Sequence, residues 1–183
     1  MENQFIIDNL KTKFGENAIV HFGVEYDILN IEINHSIIHD VLYFAKTSEA
    51  LNFNFLTDLC GVHYPQNADK ALGVIYHLHN FIANKRIRIK TFFSIQQAEI
   101  PTATDIWPSA NWMERETYDF FGIVFKGHND LRRILNVDEM DYFPMRKEYP
   151  LEDNTRTDKV DTFFGRDGNT VQTFDKRYQN KLH

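Results

Sequence analysis

The chain has 183 residues, a formal net charge of -6 and a single cysteine, and 43% of its residues are hydrophobic. The negative charge gives no general attraction to nucleic-acid phosphates, and one cysteine excludes an intramolecular disulfide framework or a cysteine-only iron–sulfur site. No apolar run approaches the roughly 20 residues that cross a bilayer, and the opening residues lack a signal-peptide pattern, so we expect a protein that stays in the cytoplasm.

The first third of the chain predicts two helices and a strand pair. A helical apolar spacing covers residues 1–14 and ends at Gly15. Residues 18–33 contain two strand-like runs that join around Asp27, and a second helix is predicted over about 36–45. The apolar side chains that share the face of the first helix are Phe5, Ile6, Leu10 and Phe14.

Three further strand-like stretches follow, at residues 51–64, 71–81 and 85–94. The last alternates charged with apolar side chains, which is typical of a strand with one solvated face. Strands at this density with few helices predict an α+β fold, a two-layer domain with a β-sheet covered by helices. The charged positions of the alternating strand are Arg86, Arg88 and Lys90, and the apolar ones are Ile87 and Ile89.

A short helix is predicted over residues 110–121, with Ser109 as its N-cap and Gly122 as its left-handed C-terminal residue. Arg115 and Asp119 are spaced to pair across one turn, which would contribute only about 0.2 to 0.5 kcal/mol. The positions predicted to face the core are Met113, Thr117, Phe120 and Phe121. The charged positions predicted to lie mostly off that face are Glu114, Arg115, Glu116 and Asp119.

Five distinctive segments lie in and around this helix: PTATDIWP from Pro101, ERE from Glu114, FGI from Phe121, LRRIL from Leu131 and PMRKEYPL from Pro144. In these segments the chain resembles a known family, the C subunits of the proton-pumping NADH-quinone oxidoreductase, respiratory complex I. Together they cover about fifty residues in register. Asn129 stands where the family usually has proline, and Tyr142 and Phe143 stand where it usually has Gly-His.

The resemblance implies a signature surface that contacts other subunits and has no catalytic, cofactor-binding or metal-binding residues of its own. Arg132 and Arg133, with Glu114 and Arg115, are expected to form charge pairs at a buried subunit boundary. The signature and interface residues are Trp112, Glu114, Arg115, Glu116, Asp119, Phe121, Gly122, Gly127, His128, Leu131, Arg132, Arg133, Arg146 and Lys147.

The resemblance also implies a fold, a place and a role. The sheet would be mixed and covered on one face by helices. The chain would be a non-redox structural subunit in the hydrophilic arm, peripheral on the cytoplasmic side of the bacterial inner membrane. Its partners would be the subunits that form the quinone pocket and hold the terminal iron–sulfur cluster. Iron–sulfur clusters, FMN and quinone would be bound by partner subunits, and membrane association would occur only through the complex.

The composition changes after Leu151. We expect residues 1–150 to form the domain, with the signature segment at 101–150, and residues 151–183 to form an extended C-terminal arm. The arm contains six acidic and six basic side chains and no periodic apolar face. Its predicted anchors are Phe163, Phe164, Val171, Phe174 and Tyr178.

Other candidate sites have ordinary structural explanations. Cys60 in an apolar strand is predicted to be a core residue, and His128 to donate hydrogen bonds within a loop. Glu114 and Glu116 are two apart on a helix and point in different directions, which argues against a catalytic pair. No dinucleotide fingerprint, phosphate-binding loop or CxxC pair is present.

Two functional alternatives remain open. One is the equivalent subunit of a membrane-bound hydrogenase or related quinone-linked dehydrogenase. The other is a free-standing metal-dependent enzyme, for which the candidate ligands are His35, His39, His77 and His79.

Overall fold

A computed structural model describes residues 1–149 of the chain. The extended arm predicted for residues 151–183, including its aromatic anchors, lies outside the described residues. Within residues 1–149, no helix combines the length and the hydropathy needed to cross a membrane.

The elements follow the predicted order closely. The α-helices are α1 (Asn3–Phe14), α2 (Ile38–Thr47) and α3 (Ala110–Phe121). The strands are β1 (Ile19–Glu25), β2 (Ile28–Ile33), β3 (Phe55–His63), β4 (Leu72–Asn80), β5 (Lys85–Phe93), β6 (Glu99–Pro101) and β7 (Val124–Lys126). Short 3₁₀ turns cover Glu16–Ala18, His35–Ile37, Ala68–Lys70 and Ile95–Gln97.

The main sheet has five strands in the order β1-β2-β5-β4-β3. It is mixed, because β2 and β5 run parallel while the other neighbouring pairs run antiparallel. The parallel pair is joined by a long crossover that contains α2, β3 and β4, as a parallel connection requires. The prediction of an α+β domain with a mixed sheet is confirmed.

The core lies between one sheet face and the helices. Buried side chains of α1 and α2 pack against alternate residues of the central strands. In β5 the predicted alternation is confirmed, because Ile87 and Ile89 are buried while Arg86 is exposed. Helix α3 packs on the edge strand β3, where the ring of Phe121 lies over Gly61. A Cβ on Gly61 would lie 2.5 Å from that ring, so this position requires glycine.

Helix α3 has its predicted length, but its N-terminus differs from the prediction. Ser109 adopts helical angles and its side chain makes no capping hydrogen bond. The preceding turn contributes to this, because the amide of Asn111, one of the donors that a Ser109 cap would accept from, already donates to the carbonyl of Pro108. The prediction for the other end is confirmed, since Gly122 is left-handed with φ 72° and its amide donates to the carbonyl of Tyr118.

A second sheet of two short parallel strands, β6 and β7, was not predicted. Each strand has three residues, which is too short for a periodic pattern to be visible in the sequence. The side chains of Ile100 and Phe125 face each other in the pair and are buried. This small sheet brings the segments before and after α3 side by side, and so positions the signature segment.

Candidate assembly site

The signature segment is organised around the carboxylate of Asp119, in the last turn of α3. Oδ2 of Asp119 accepts hydrogen bonds from the amides of Ile134, Leu135 and Asn136 at 3.1, 2.8 and 2.9 Å. Burial alone would raise the pKa of Asp119, but the hydrogen bonds from Asn136, Arg133, Leu135 and Ile134 outweigh it and hold the pKa well below its usual range. Asp119 is therefore a buried anion that fixes the loop after β7.

Arg133 is the counter-ion of this carboxylate. Its Nη1 lies 2.7 Å from Oδ1 of Asp119 and also donates to the carbonyl of Asp119. Nη2 donates to the carbonyls of Met140 and Tyr142 at 2.7 and 3.0 Å. Four hydrogen bonds within the chain therefore engage the guanidinium, and its side chain is only 9% exposed. Arg132 contrasts with it: this side chain is 68% exposed and bonds only to Asp130 among the described residues.

Arg115 and His128 hold the same loop against α3 nearer the N-terminus of the helix. Arg115 donates to the carbonyls of Arg132 and Arg133 at 3.3 and 3.1 Å, so the predicted pairing of Arg115 with Asp119 does not form. Asp119 is instead occupied by partners from the loop. Nδ1 of His128 accepts from the amide of Asp130, which leaves Nε2 to donate to the carbonyl of Asn111 at 3.1 Å. His128 has the predicted loop-bracing contacts.

Glu114 lies on a different side of α3 and points into the protein. It is fully buried, and its carboxylate accepts from the hydroxyl of Thr102 and the amide of Ala103, each at 2.6 Å. Burial raises the pKa of Glu114 to about 7, although the bonds from Thr102 and Ala103 act in the opposite direction and Asp105 adds to the rise. Glu114 therefore braces the segment before α3.

The predicted orientation of α3 was wrong for these two acids. Glu114 and Asp119 were placed off the core-facing side, yet both are buried, together with Ala110 and Thr117. The reason is that each acid receives donors from a loop distant in sequence, and such partners do not appear in a helical hydrophobic pattern. The prediction for Met113 is confirmed, because this side chain is partly buried and packs against the core.

The segment that departs from the family pattern also packs within the chain. The Phe143 ring lies 5.2 Å from the Arg133 guanidinium carbon and 4.8 Å from that of Arg146. Arg146 donates to the carbonyl of Phe121 at 2.8 Å. Gly122 has no side chain to obstruct the ring, since a Cβ there would lie 2.5 Å from Phe143. Phe143 thus links two arginines to the end of α3.

Lys147 continues this packing toward β3. Its backbone amide donates to Nδ1 of the buried His63 at 2.9 Å. Gly127 is left-handed with φ 86°, and Leu131 packs against the core. The contacts of Arg115, Arg133 and Arg146 are thus internal to residues 101–149, while the Lys147 backbone reaches β3.

The remaining signature residues point outward. Trp112 is 59% exposed and lies one residue after Asn111, whose carbonyl accepts from His128. Glu116 and Arg132 are exposed as well. The loop beside them carries two exposed aliphatic side chains, Leu135 and Val137, at 65% and 63%. We define Trp112, Arg132, Leu135 and Val137 as the outer patch.

The four histidines proposed as ligands of a metal enzyme do not gather. His35 contacts the carbonyl of Glu99 and His39 contacts Asp105. Within residues 1–149, the one group of three side chains that could hold a metal ion contains only His77 of the four histidines. The prediction that Cys60 is a core residue was also wrong, because its side chain is only partly buried and lines a cavity at the edge of the sheet.

Comparisons with known proteins agree on one family. Residues 31–155 match the family described as respiratory-chain NADH dehydrogenase, 30 Kd subunit. The NADH-quinone oxidoreductase C subunit of Maricaulis maris is 39% identical over 134 residues, which cover 73% of this chain and 66% of the relative. The corresponding protein of Methylobacterium sp. strain 4-46 is 37% identical over 148 residues, covering 81% and 67%. The chain thus spans about two thirds of the length of these relatives.

Two solved structures share the fold. The trypsin-resistant fragment (1–134) of Nqo5 superposes with a TM-score of 0.60 at 28% identity, covering 72% of this chain and 100% of the fragment. A chain of the membrane-bound sulfane sulfur reductase, an archaeal respiratory membrane complex, superposes with a TM-score of 0.67 at 26% identity, covering 82% of this chain and 87% of the other.

Proposed function

Because this chain belongs to the family of the 30 Kd subunit of respiratory-chain NADH dehydrogenase, we propose that it is a non-redox structural subunit of an NADH-quinone oxidoreductase. The assembled enzyme would couple electron transfer from NADH, through iron–sulfur clusters, to quinone with proton translocation. FMN, the clusters and the quinone would be bound by partner subunits. This chain would lie peripherally on the cytoplasmic side of the inner membrane and associate with it only through those partners.

The observation that carries the proposal is the contrast between a rigid loop and its exposed apolar side chains. The buried pair of Asp119 and Arg133 makes hydrogen bonds to the backbone of residues 134–136, 140 and 142 and so braces this loop. The same loop leaves Leu135 and Val137 largely exposed to solvent. A loop that is already ordered loses little conformational entropy on binding, so its apolar surface contributes more of its burial energy to association.

The composition of the outer patch fits a subunit boundary. Tryptophan and arginine are enriched among the residues that dominate binding at protein interfaces. Trp112 provides a large apolar surface, and Arg132 provides a guanidinium whose only partner among residues 1–149 is Asp130. The partners proposed to cover this patch are hydrophilic-arm subunits, in particular those that form the quinone pocket and hold the terminal iron–sulfur cluster.

The test compares outer-patch variants with matched exposed residues elsewhere. Trp112→Ala and Arg132→Ala are each introduced into the full chain, and Tyr43→Ala and Arg86→Ala serve as controls because both residues are exposed on other elements. The outer-patch variants should fold normally, yet lose co-purification with the membrane complex and NADH-driven quinone reduction. If Trp112→Ala and Arg132→Ala both assemble like the controls, the patch is not a subunit boundary.

A second candidate is favoured by the likeness to the sulfane sulfur reductase chain, which superposes over 82% of this protein. The chain could equally serve as the equivalent structural subunit of a membrane-bound hydrogenase or another related respiratory complex. Identification of the polypeptides that co-purify with it separates the two candidates. Partners that oxidise NADH support the first, and partners with a hydrogenase or sulfur-reducing centre support the second.

A further inference from the structure

A group of side chains suited to metal binding lies on the sheet face opposite the helices α1 and α2. Asp58 of β3 is directly opposite His77 of β4, and directly opposed residues of antiparallel strands share a face. Cys60 follows Asp58 by two residues and therefore lies on that face as well. One ligand atom from each side chain lies within 4.8 Å of the other two.

The three side chains are available to a ligand. Within residues 1–149, none of them forms a hydrogen bond or an ion pair with another side chain or with the backbone. Their positions are set by two strands paired along nearly their whole length, so the cluster is held by backbone hydrogen bonds. Close approach of three unpartnered donors with different chemistry on such a rigid support is the arrangement that a bound cation needs.

The surroundings favour the ligating form of the ring but not that of the free thiol. Burial and then the facing Arg88 of β5 lower the pKa of His77, which keeps its imidazole neutral at neutral pH. Burial and then Asp58 raise the pKa of Cys60 above its ordinary value, and Arg88 opposes them only in part, so the metal-free thiol keeps its proton. Lys90 faces His77 as a further cation. Cation binding therefore displaces one proton from the thiol: Cys60–SH and the metal ion become a thiolate–metal bond and a released proton.

The donor set selects a class of metal. One thiolate sulfur, one imidazole nitrogen and one carboxylate oxygen suit Zn²⁺, which binds all three and is usually tetrahedral. Space for a fourth ligand is present, because a cavity of about 280 Å³ adjoins Asp58 and Cys60 and is also lined by Glu116 of α3. A water molecule there, or the Glu116 carboxylate, can complete the tetrahedron.

We propose that Asp58, Cys60 and His77 form a three-ligand Zn²⁺ site on the outer face of the sheet, joining the edge strand β3 to β4. The site goes beyond the structural role proposed above and differs from the expectation that this chain binds no metal. Zn²⁺ bound here would stabilise the edge of the sheet, because a ligand that binds only the folded state raises the free energy of unfolding.

The test uses Co²⁺ as a spectroscopic substitute for Zn²⁺ on the full chain at about pH 7.5, where thiol deprotonation by a bound metal is favourable. Cys60 is the one cysteine of the protein, so any thiolate-to-Co²⁺ charge-transfer band must arise from it. We expect one equivalent of Co²⁺ to produce that band, Zn²⁺ to remove it by competition, and each binding event to release protons in an unbuffered titration.

Variants decide which side chains ligate. Cys60→Ser should abolish the band, while His77→Gln and Asp58→Asn should weaken Co²⁺ binding about tenfold or more. His39→Gln is the matched control, because His39 pairs with Asp105 in a different part of the fold. A cooperative unfolding transition confirms that each variant is folded, and Zn²⁺ should raise the melting temperature of the native chain and of His39→Gln only.

Absence of the charge-transfer band in the native chain, or an unchanged Co²⁺ affinity in His77→Gln, would overturn the proposal. These results are independent of the assembly role. Loss of Zn²⁺ binding leaves the outer patch intact, and failure of Trp112→Ala or Arg132→Ala to affect assembly leaves the metal site intact.

Discussion

Asp119 and Arg133 form an ion pair inside the chain, with 2.7 Å between Oδ1 and Nη1 and side chains that are 0% and 9% exposed. The pair joins the last turn of α3 to a loop that begins after β7. Its position shows that one of the two adjacent signature arginines is fully engaged within this chain, while Arg132 remains exposed. The pair Arg132 and Arg133 therefore divides into an outward-facing residue and an internal brace.

Arg133→Ala should destabilise the isolated chain strongly, because it leaves the buried carboxylate of Asp119 without its counter-ion. We expect a loss of roughly 3 to 5 kcal/mol in the free energy of unfolding. Arg132→Ala removes only an exposed pair with Asp130 and should cost at most about 1 kcal/mol. Urea unfolding of both variants measures the difference. Equal, small losses would show that the internal bonds of Arg133 contribute little.

Acid should weaken the loop through Asp119. Its pKa is lower in the folded chain than the ordinary value of 3.8, so the unfolded state binds the proton first. The stability that Asp119 contributes is therefore fully present above about pH 4 and is lost as the pH falls through the lowered folded value. Asp119→Asn should reduce the stability at about pH 7 and flatten this acid dependence. Urea unfolding at a series of acidic pH values measures this dependence. If Asp119→Asn loses stability in acid as steeply as the native chain, other carboxylates are responsible for the acid sensitivity.

Glu114 should give the opposite pH dependence. Its pKa is about 7 in the folded chain against 4.5 ordinarily, so the folded state binds the proton more tightly. Its effect on stability is most favourable below about pH 4.5 and declines as the pH rises to about 7, by about 3 kcal/mol at most.

Glu114→Gln keeps the shape of the side chain but has no titrating proton, so the decline between about pH 4.5 and 7 should disappear. Urea unfolding across this pH range measures the free energy of unfolding of both chains. Glu116→Gln is the control, because Glu116 is exposed on the same helix. If the two substitutions change the pH profile equally, the buried position of Glu114 is not the cause.

Gly122→Ala should destabilise the chain through two effects. The residue is left-handed with φ 72°, and an added Cβ would lie 2.5 Å from the ring of Phe143. Backbone strain and overpacking together should cost roughly 2 to 5 kcal/mol. Gly15→Ala separates them, because Gly15 also has a positive φ but has no atom within 4 Å of such a Cβ. Gly15 has φ 87° and ψ 165°, a region that essentially only glycine adopts, so backbone strain alone should cost about 1 to 3 kcal/mol there. Thermal unfolding of Gly122→Ala and Gly15→Ala measures the difference.

Two truncations should differ sharply. A chain that ends at Tyr142 lacks the contacts of Phe143, Arg146 and Lys147 with α3 and β3, and should lose cooperative stability. A chain that ends at Glu152 keeps them, and because the deleted residues 153–183 have no periodic apolar face in the sequence, it should unfold much like the full chain while assembling less well. If the chain that ends at Glu152 lost its cooperative transition, residues 153–183 would belong to the core.

Much of the fold was predictable because it follows from local periodicity. The alternation in β5 predicts which side chains are buried, and the apolar spacing of α1 predicts its length and its end at Gly15. Helix α3 was located correctly, but the faces of Glu114 and Asp119 were not. A buried acid has the same sequence signature as an exposed one, and only its donors distinguish them.

The sequence by itself determined the three helices, the five strands of the main sheet, the fold class and the resemblance to one family, since these depend on periods and residue patterns within a short stretch of chain. The tertiary structure alone decided which signature residues face inward. Asp119 meets Arg133 across fourteen positions because β6 and β7 pair and return the chain along α3. The tertiary structure also brings Asp58 and Cys60 beside His77, through the register of β3 and β4. Such contacts are set by packing between distant segments, which no local pattern encodes.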